Sequence, residues 1–215
     1  MCFVCVLREV IERIERELKT LEDVRDRIIK ETRDVIKLAR EVVHSIHRRD
    51  LATAEEKLAA LTSLVRKIVD ETRNYPQLYY SGLIYGPVTE YVEARVLYTI
   101  VKEGRIPLPE ELEVENVPYL LGLGDVVGEL RRIVIDCLRQ GQLQEAEKYF
   151  KYMEEIYENL SLIIVPDALV PGLRGKVDFM RKIVEITRAD LLIAKLKIPT
   201  HVLETGEETN EKRSI

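Results

Sequence analysis

Glu90, Glu93, Asp125 and Glu129 are the residues of this chain whose types and spacing point most directly to chemistry. Each pair lies in an apolar stretch. The first is embedded in Pro87-Val88-Thr89-Glu90-Tyr91-Val92-Glu93-Ala94-Arg95-Val96-Leu97, the second in Leu120-Leu121-Gly122-Leu123-Gly124-Asp125-Val126-Val127-Gly128-Glu129-Leu130. On a helix, residues three apart lie about 60° apart around the axis and residues four apart about 40°, so each pair shares a face. Two carboxylates about 5 Å apart repel by roughly 3 kcal/mol at an effective dielectric near 20. Shared protons, basic partners or a divalent cation would relieve that repulsion. Oxygen ligands suit Mg2+ or Mn2+. Such an ion polarises a phosphoryl oxygen and lowers the pKa of a bound water, and two ions clamp the attacking and leaving oxygens of a phosphodiester. The absence of histidine from both stretches argues against zinc.

Two bland explanations compete. The chain holds 38 acidic residues, so pairs three or four apart arise by chance, as Glu12 and Glu15 do. Alternatively the acids belong to an ion-pair network with Arg95, Arg131 or Arg132. The residue pattern alone leaves all three readings open.

The elements that must carry these residues are helices. The first acid pair needs a helix over 87–103 and the second one over 118–140. Pro87 and Pro118 suit a first turn, where a missing N–H costs nothing, and Gly104 and Gly141 suit the left-handed position that ends a helix. Both helices are apolar almost all round, so we expect them to be packed on most sides, with the acids facing protein rather than open water. Gly122, Gly124 and Gly128 remove side chains beside the second pair, which permits close helix packing or a ligand. A pattern of Leu, Val and Ile at spacings of three and four, free of Gly and Pro, predicts a long helix over 4–47 that spans a bundle or enters a subunit contact. Further helices are predicted over 51–74, 142–163 and 173–197. The segment 103–117 reads as a surface connector. We expect an all-α fold, an extended antiparallel bundle of about seven helices. We expect residues 1–203 to form a single helical domain and 204–215 a polar, disordered tail.

Other candidates are weaker. Glu41-Val42-Val43-His44 is a single ExxH, and a di-iron bundle needs two. Cys2 and Cys5 form a lone CxxC without a second pair for zinc, and Cys137 reads as a core residue. Tyr79, Tyr80 and Tyr85 would stack on bases or, as we favour, pack at a helix junction. Basic clusters include Arg48-Arg49, Arg131-Arg132 and Lys148 with Lys151. Each is either a solvated surface or a lining that tracks phosphates.

A net charge of −5 excludes a protein coated in positive charge, although 33 Lys and Arg residues leave room for a local patch. Three cysteines make no disulfide framework. No uncharged run is long enough to span a membrane and no signal-peptide layout opens the chain, so we expect a reducing cytosol.

The segments Glu90-Tyr91-Val92-Glu93-Ala94 and Tyr119 to Leu130 resemble the translin family, in particular its translin-associated factor X branch, in an archaeal-type homologue. Thr32-Arg33-Asp34, His47-Arg48, Gly141 and Ile198-Pro199-Thr200-His201-Val202-Leu203 add to the likeness, which covers roughly 27–203. The resemblance implies a seven-helix fold assembled into a closed, hollow, octamer-like shell. It implies an Mg2+-dependent endoribonuclease that cleaves RNA, and possibly binds DNA, inside that shell. Four acids hold the metal in the catalytic subunit of that family. They map onto Glu90, Glu93, Asp125 and Glu129, which raises the weight of the metal reading. The implied alternative is a non-catalytic RNA- or DNA-binding oligomer. One chain here carries the whole acidic set, so a homo-oligomer is expected. The connector 104–116 is shorter than the factor's, and Glu158-Asn159 replaces the aspartate of a family Tyr-Asp-Gly segment.

Overall fold

A computed structural model describes residues 3–196, and side chains from residue 7. The Ile198–Leu203 segment, His201, Cys2 and the expected tail over 204–215 lie outside the described residues, as does the side chain of Cys5.

The described residues form eight helices and no strand. The six long ones are α1 (Phe3–His47), α2 (Leu51–Arg73), α4 (Tyr85–Glu103), α6 (Asn116–Arg139), α7 (Leu143–Ser161) and α8 (Leu173–Leu196). Two single turns, α3 (Pro76–Tyr79) and α5 (Pro109–Leu112), bring the described helices to eight, against about seven expected. Both begin at a proline, which pre-sets the backbone angle of a first helical turn. The connector is therefore not plain loop. The Glu111 carboxylate accepts the Leu108 N–H at 2.8 Å and an Arg105 guanidinium N–H at 2.9 Å, which fixes its turn.

The ends of the acid-bearing helices follow the sequence signals. Gly104 and Gly141 close α4 and α6 with φ of 69° and 72°. Both helices start two residues earlier than expected, so Pro87 and Pro118 occupy the third position. That is still among the first four N–H groups, which have no partner within a helix.

The chain divides into two compact units, Met1–Gly122 and Leu123–Ile215, with the boundary inside α6. In the first, α1 packs on α2 and α4. Ile28, Val35 and Val42 from α1, Leu58 and Leu61 from α2, and Val92, Leu97 and Ile100 from α4 are its fully buried centre. In the second, α7 packs on α8. Its buried residues include Val126, Leu130 and Val134 of α6, Met153 of α7 and Met180 of α8. Cys137 is buried, as expected of a core residue.

Candidate metal and nucleic-acid site

The acid pairs sit where burial breaks. Between Val88 and Ile100, α4 is buried at every position except Glu90, Glu93 and Arg95. Arg95 lies well round the helix from the two glutamates, so the one accessible stripe on that side is the acid pair. Glu90 keeps 33% of its side chain exposed. The expectation that the acids face protein needs correcting to this extent: they lie at the margin of a packed helix, half in solvent.

The same holds on α6. Leu123, Gly124, Val126, Val127 and Leu130 are buried, whereas Asp125, Gly128 and Glu129 are half-exposed. Helical spacing puts these three on one side with Arg132, which is exposed. A Cβ built on Gly128 would meet nothing within 4 Å, so the helix surface at that position is open.

The other two glycines serve packing. A Cβ on Gly122 would fall 2.5 Å from Val92 Cγ1 and 3.0 Å from the Thr89 carbonyl, so only glycine lets the start of α6 lie against α4. A Cβ on Gly124 would fall 3.1 Å from Lys176 Cδ. The bare backbone there lets Lys176 of α8 cross α6 and donate from Nζ to Asp125 Oδ1.

Basic partners thus answer part of the repulsion. Asp125 pairs with Lys176, and Arg40 Nε stands 4.0 Å from Glu90 Oε2. Arg131 pairs with Asp190 at 3.2 Å and also donates to Thr187 Oγ1. Among the described residues no three His, Cys, Asp or Glu groups form a ready metal cage. What each pair offers is oxygen donors with a cation already drawn to one of them, which is the donor chemistry of a hard divalent ion.

The nucleic-acid candidates lie on several elements. Arg48 and Arg49 are exposed in the turn after α1, where Arg49 takes a left-handed φ of 61°. Lys148 and Lys151 are exposed on α7, with Lys148 3.2 Å from Glu145. A more continuous basic surface was missed. Arg33, Lys37, Arg40 and His44 are exposed along one side of α1. With Lys57 of α2 they line a groove of about 520 Å3. Their spacing of four, three and four is the signal that would have found them. Glu41 of the lone ExxH accepts Lys57 Nζ at 2.8 Å, which holds its carboxyl below the usual range. It serves an ion pair.

At the junction after α2, Tyr79 packs as favoured, Tyr85 is half-buried and Tyr80 is exposed. Tyr79 is buried and donates its phenol to Glu115 Oε1, Tyr85 donates to Glu115 Oε2 at 3.5 Å, and Tyr80 meets the Tyr79 ring edge-on at 5.1 Å. Burial, reinforced by the neighbouring Glu115 carboxylate, raises the pKa of both Tyr79 and Tyr85.

Comparison with known proteins gives relatives in sequence and in fold. The chain is 32% identical to an uncharacterized protein of Methanocaldococcus jannaschii over 93% of this chain and 90% of the relative. It is 22% identical to translin-associated protein X of Rattus norvegicus, over 69% of this chain and 65% of that one. The crystal structure of apo-NeC3PO aligns with a TM-score of 0.78 and 30% identity, over 86% of this chain and 96% of that chain. The AfC3PO–duplex RNA complex aligns with a TM-score of 0.81 and 32% identity, over 87% of this chain and 97% of that chain. No described helix is long and apolar enough to cross a membrane. A family model matches residues 23–186, a span that holds both acid pairs and the basic side of α1, and the chain belongs to the Translin family.

Proposed function

We propose that this protein is a cytosolic, Mg2+-dependent endoribonuclease that works as a homo-oligomeric shell around RNA. The observation that carries the reading is that, within the mostly buried stretches 88–100 of α4 and 123–130 of α6, the part-exposed positions are the acid pairs Glu90 with Glu93 and Asp125 with Glu129, joined only by Arg95 and Gly128. Membership of the Translin family and likeness to a structure solved with duplex RNA support RNA as the ligand.

Glu90 with Glu93 on α4, and Asp125 with Glu129 on α6, would supply the oxygen ligands of Mg2+ or Mn2+. The ion, when bound, supplies charge neutralisation at a phosphoryl oxygen and acidification of water. The chain's own residues bind and orient. Arg33, Lys37 and Arg40 attract the phosphate backbone without reading bases. Arg40 lies beside Glu90, so the basic side of α1 leads a strand towards the first acid pair. Gly128, between Asp125 and Glu129 in sequence, adds no side chain to the α6 surface. Lys176 holds Asp125 and balances its charge until a stronger cation competes.

Self-association has its own support. Residues 7–20 of α1 are exposed throughout, and Leu7, Ile11, Ile14 and Leu18 form an apolar seam at spacings of four, three and four. That is the repeat with which helices of separate chains pair.

The test is cleavage of unstructured RNA in Mg2+ by the wild-type chain and by Glu93→Gln. Cleavage by the former and its loss in the latter is expected; equal cleavage by both, or none by either, overturns the assignment. The second reading, an oligomer that binds RNA or DNA without turnover, draws on the Lys176–Asp125 pair, which already compensates one acid. It requires tight, salt-dependent binding with the RNA left intact.

A further inference from the structure

A second concavity lies wholly within the first unit, away from the acid pairs. Its volume is about 330 Å3, at the small end of ligand sites and suited to one planar heterocycle. Val69, Ile84, Val88, Val114 and Pro118 give it apolar walls. Its polar side is built around Glu115. Tyr79 and Tyr85 each donate to a different oxygen of that carboxylate, one from α3 and one from the start of α4. An ionised carboxylate has about four acceptor sites, so two tyrosine donors leave others open while fixing the group's position. Arg73 lines the same space, exposed, 3.3 Å from Asp70 and also interacting with the Tyr79 phenol. Glu113, the other acid there, is occupied by Arg66 at 2.8 Å.

We propose that this pocket binds a guanine base. A fixed carboxylate between apolar walls selects a flat ring that presents two adjacent N–H donors in its plane. Guanine has that pair on its Watson–Crick edge, at N1 and the 2-amino group. Adenine sets an acceptor beside its amino group, and uracil flanks its one N–H with carbonyls, so each would place an acceptor against Glu115. The walls cover the ring faces, and Arg73 meets a 5′-phosphate at the rim. The base could belong to a free nucleotide or to an unstacked residue of RNA; the recognition is the same. None of the four acid-pair residues takes part, so the pocket stands whether or not the chain cleaves RNA.

The full chain is titrated, without divalent cation, with guanosine 5′-monophosphate, adenosine 5′-monophosphate and ribose 5-phosphate, by calorimetry and by tyrosine fluorescence. Saturable binding of the guanine nucleotide is expected, with the adenine nucleotide at least about tenfold weaker and ribose phosphate silent, since a paired hydrogen-bond match discriminates by about that much. Glu115→Gln should remove most of that preference. If that variant does not fold, Tyr85→Phe, which frees one carboxylate oxygen to move, should weaken guanine binding several-fold and leave the far-ultraviolet spectrum unchanged. Equal affinity for both nucleotides, no saturable binding, or unaltered guanine binding in folded Glu115→Gln overturns the proposal. Comparing short RNAs that end in unpaired G or unpaired A then separates a free nucleotide from an RNA base as the natural occupant.

Discussion

Lys176 of α8 reaches Asp125 of α6 by lying over the bare backbone of Gly124. The contact joins a cation to one of the four proposed metal ligands, so metal and ammonium compete for the same carboxylate. Both side chains are about one-third exposed, which screens the competition without abolishing it. Lys176→Met should therefore tighten Mn2+ binding, by about tenfold. Calorimetric titration of wild type and variant checks this, and weaker binding in Lys176→Met would mean that the lysine holds Asp125 in place for the ion.

Gly122 tests the packing that sets α6 on α4. An added Cβ would lie within 2.6 Å of both Val92 Cβ and Cγ1 and close to the Thr89 carbonyl. Alanine is the better helix former, worth up to about 1 kcal/mol, but the clash involves backbone and a branched side chain that cannot swing away. Gly122→Ala should cost about 1–3 kcal/mol net. The same change at Gly128 has open space around it and should be neutral or stabilising. Thermal melts of the two variants, side by side, distinguish crowding from helix propensity.

The basic side of α1 should contribute affinity but no sequence preference. Lys37 and Arg40 are exposed three residues apart on that face. If each contacts a phosphate, replacing both with glutamine should lower the slope of log affinity against log salt by about 1.4 on single-stranded RNA. Binding to several unrelated RNA sequences should fall by the same factor. A loss confined to one sequence would assign these residues to base contacts instead.

Most of the long helices were legible, because a run such as Leu7 to Ile46 repeats at helical spacing with no Gly or Pro to break it, and Gly104 and Gly141 mark ends that only a left-handed residue makes easily. The single turns α3 and α5 were not, since four residues cannot show a period. The acids were legible by contrast with their neighbours. Their cations were not: Lys176 is 51 residues from Asp125 and Arg40 is 50 from Glu90, and no local pattern links positions so far apart. Of the three arginines considered, Arg95, Arg131 and Arg132, Arg131 pairs with Asp190 at 3.2 Å. Glu115 was unreadable as a site because its meaning comes from Tyr79 and Tyr85, 36 and 30 residues earlier.

The seam on α1 predicts how the assembly responds to charge. Ile14 is 40% exposed and lies between Ile11 and Leu18, which are more exposed still. The flanking pairs Arg8–Glu12 at 3.0 Å and Glu15–Lys19 at 2.8 Å are satisfied within the helix, so they leave the seam apolar. Ile14→Glu should reduce the oligomer to a smaller species by light scattering while the helical spectrum is retained. An unchanged particle mass would remove this seam from the subunit contact.

The pH dependence follows from the tyrosines. The ordinary phenol value is 10.0, and in the folded chain burial and the Glu115 carboxylate raise Tyr79 and Tyr85 above it. A raised folded-state pKa means that the native chain keeps protons the unfolded chain would release. The stability from these phenols is therefore complete below pH 10 and is lost as pH climbs through the raised values. Denaturant titrations at intervals from about pH 7 to about pH 11 should show a fall that begins near 10. The Tyr79→Phe, Tyr85→Phe double variant has no phenol to ionise there. It should start less stable, because the two donors to Glu115 are gone, and decline less steeply above pH 10, so the two curves converge. Parallel curves would mean that the phenols carry no native-state shift and that Glu115 is held by other groups.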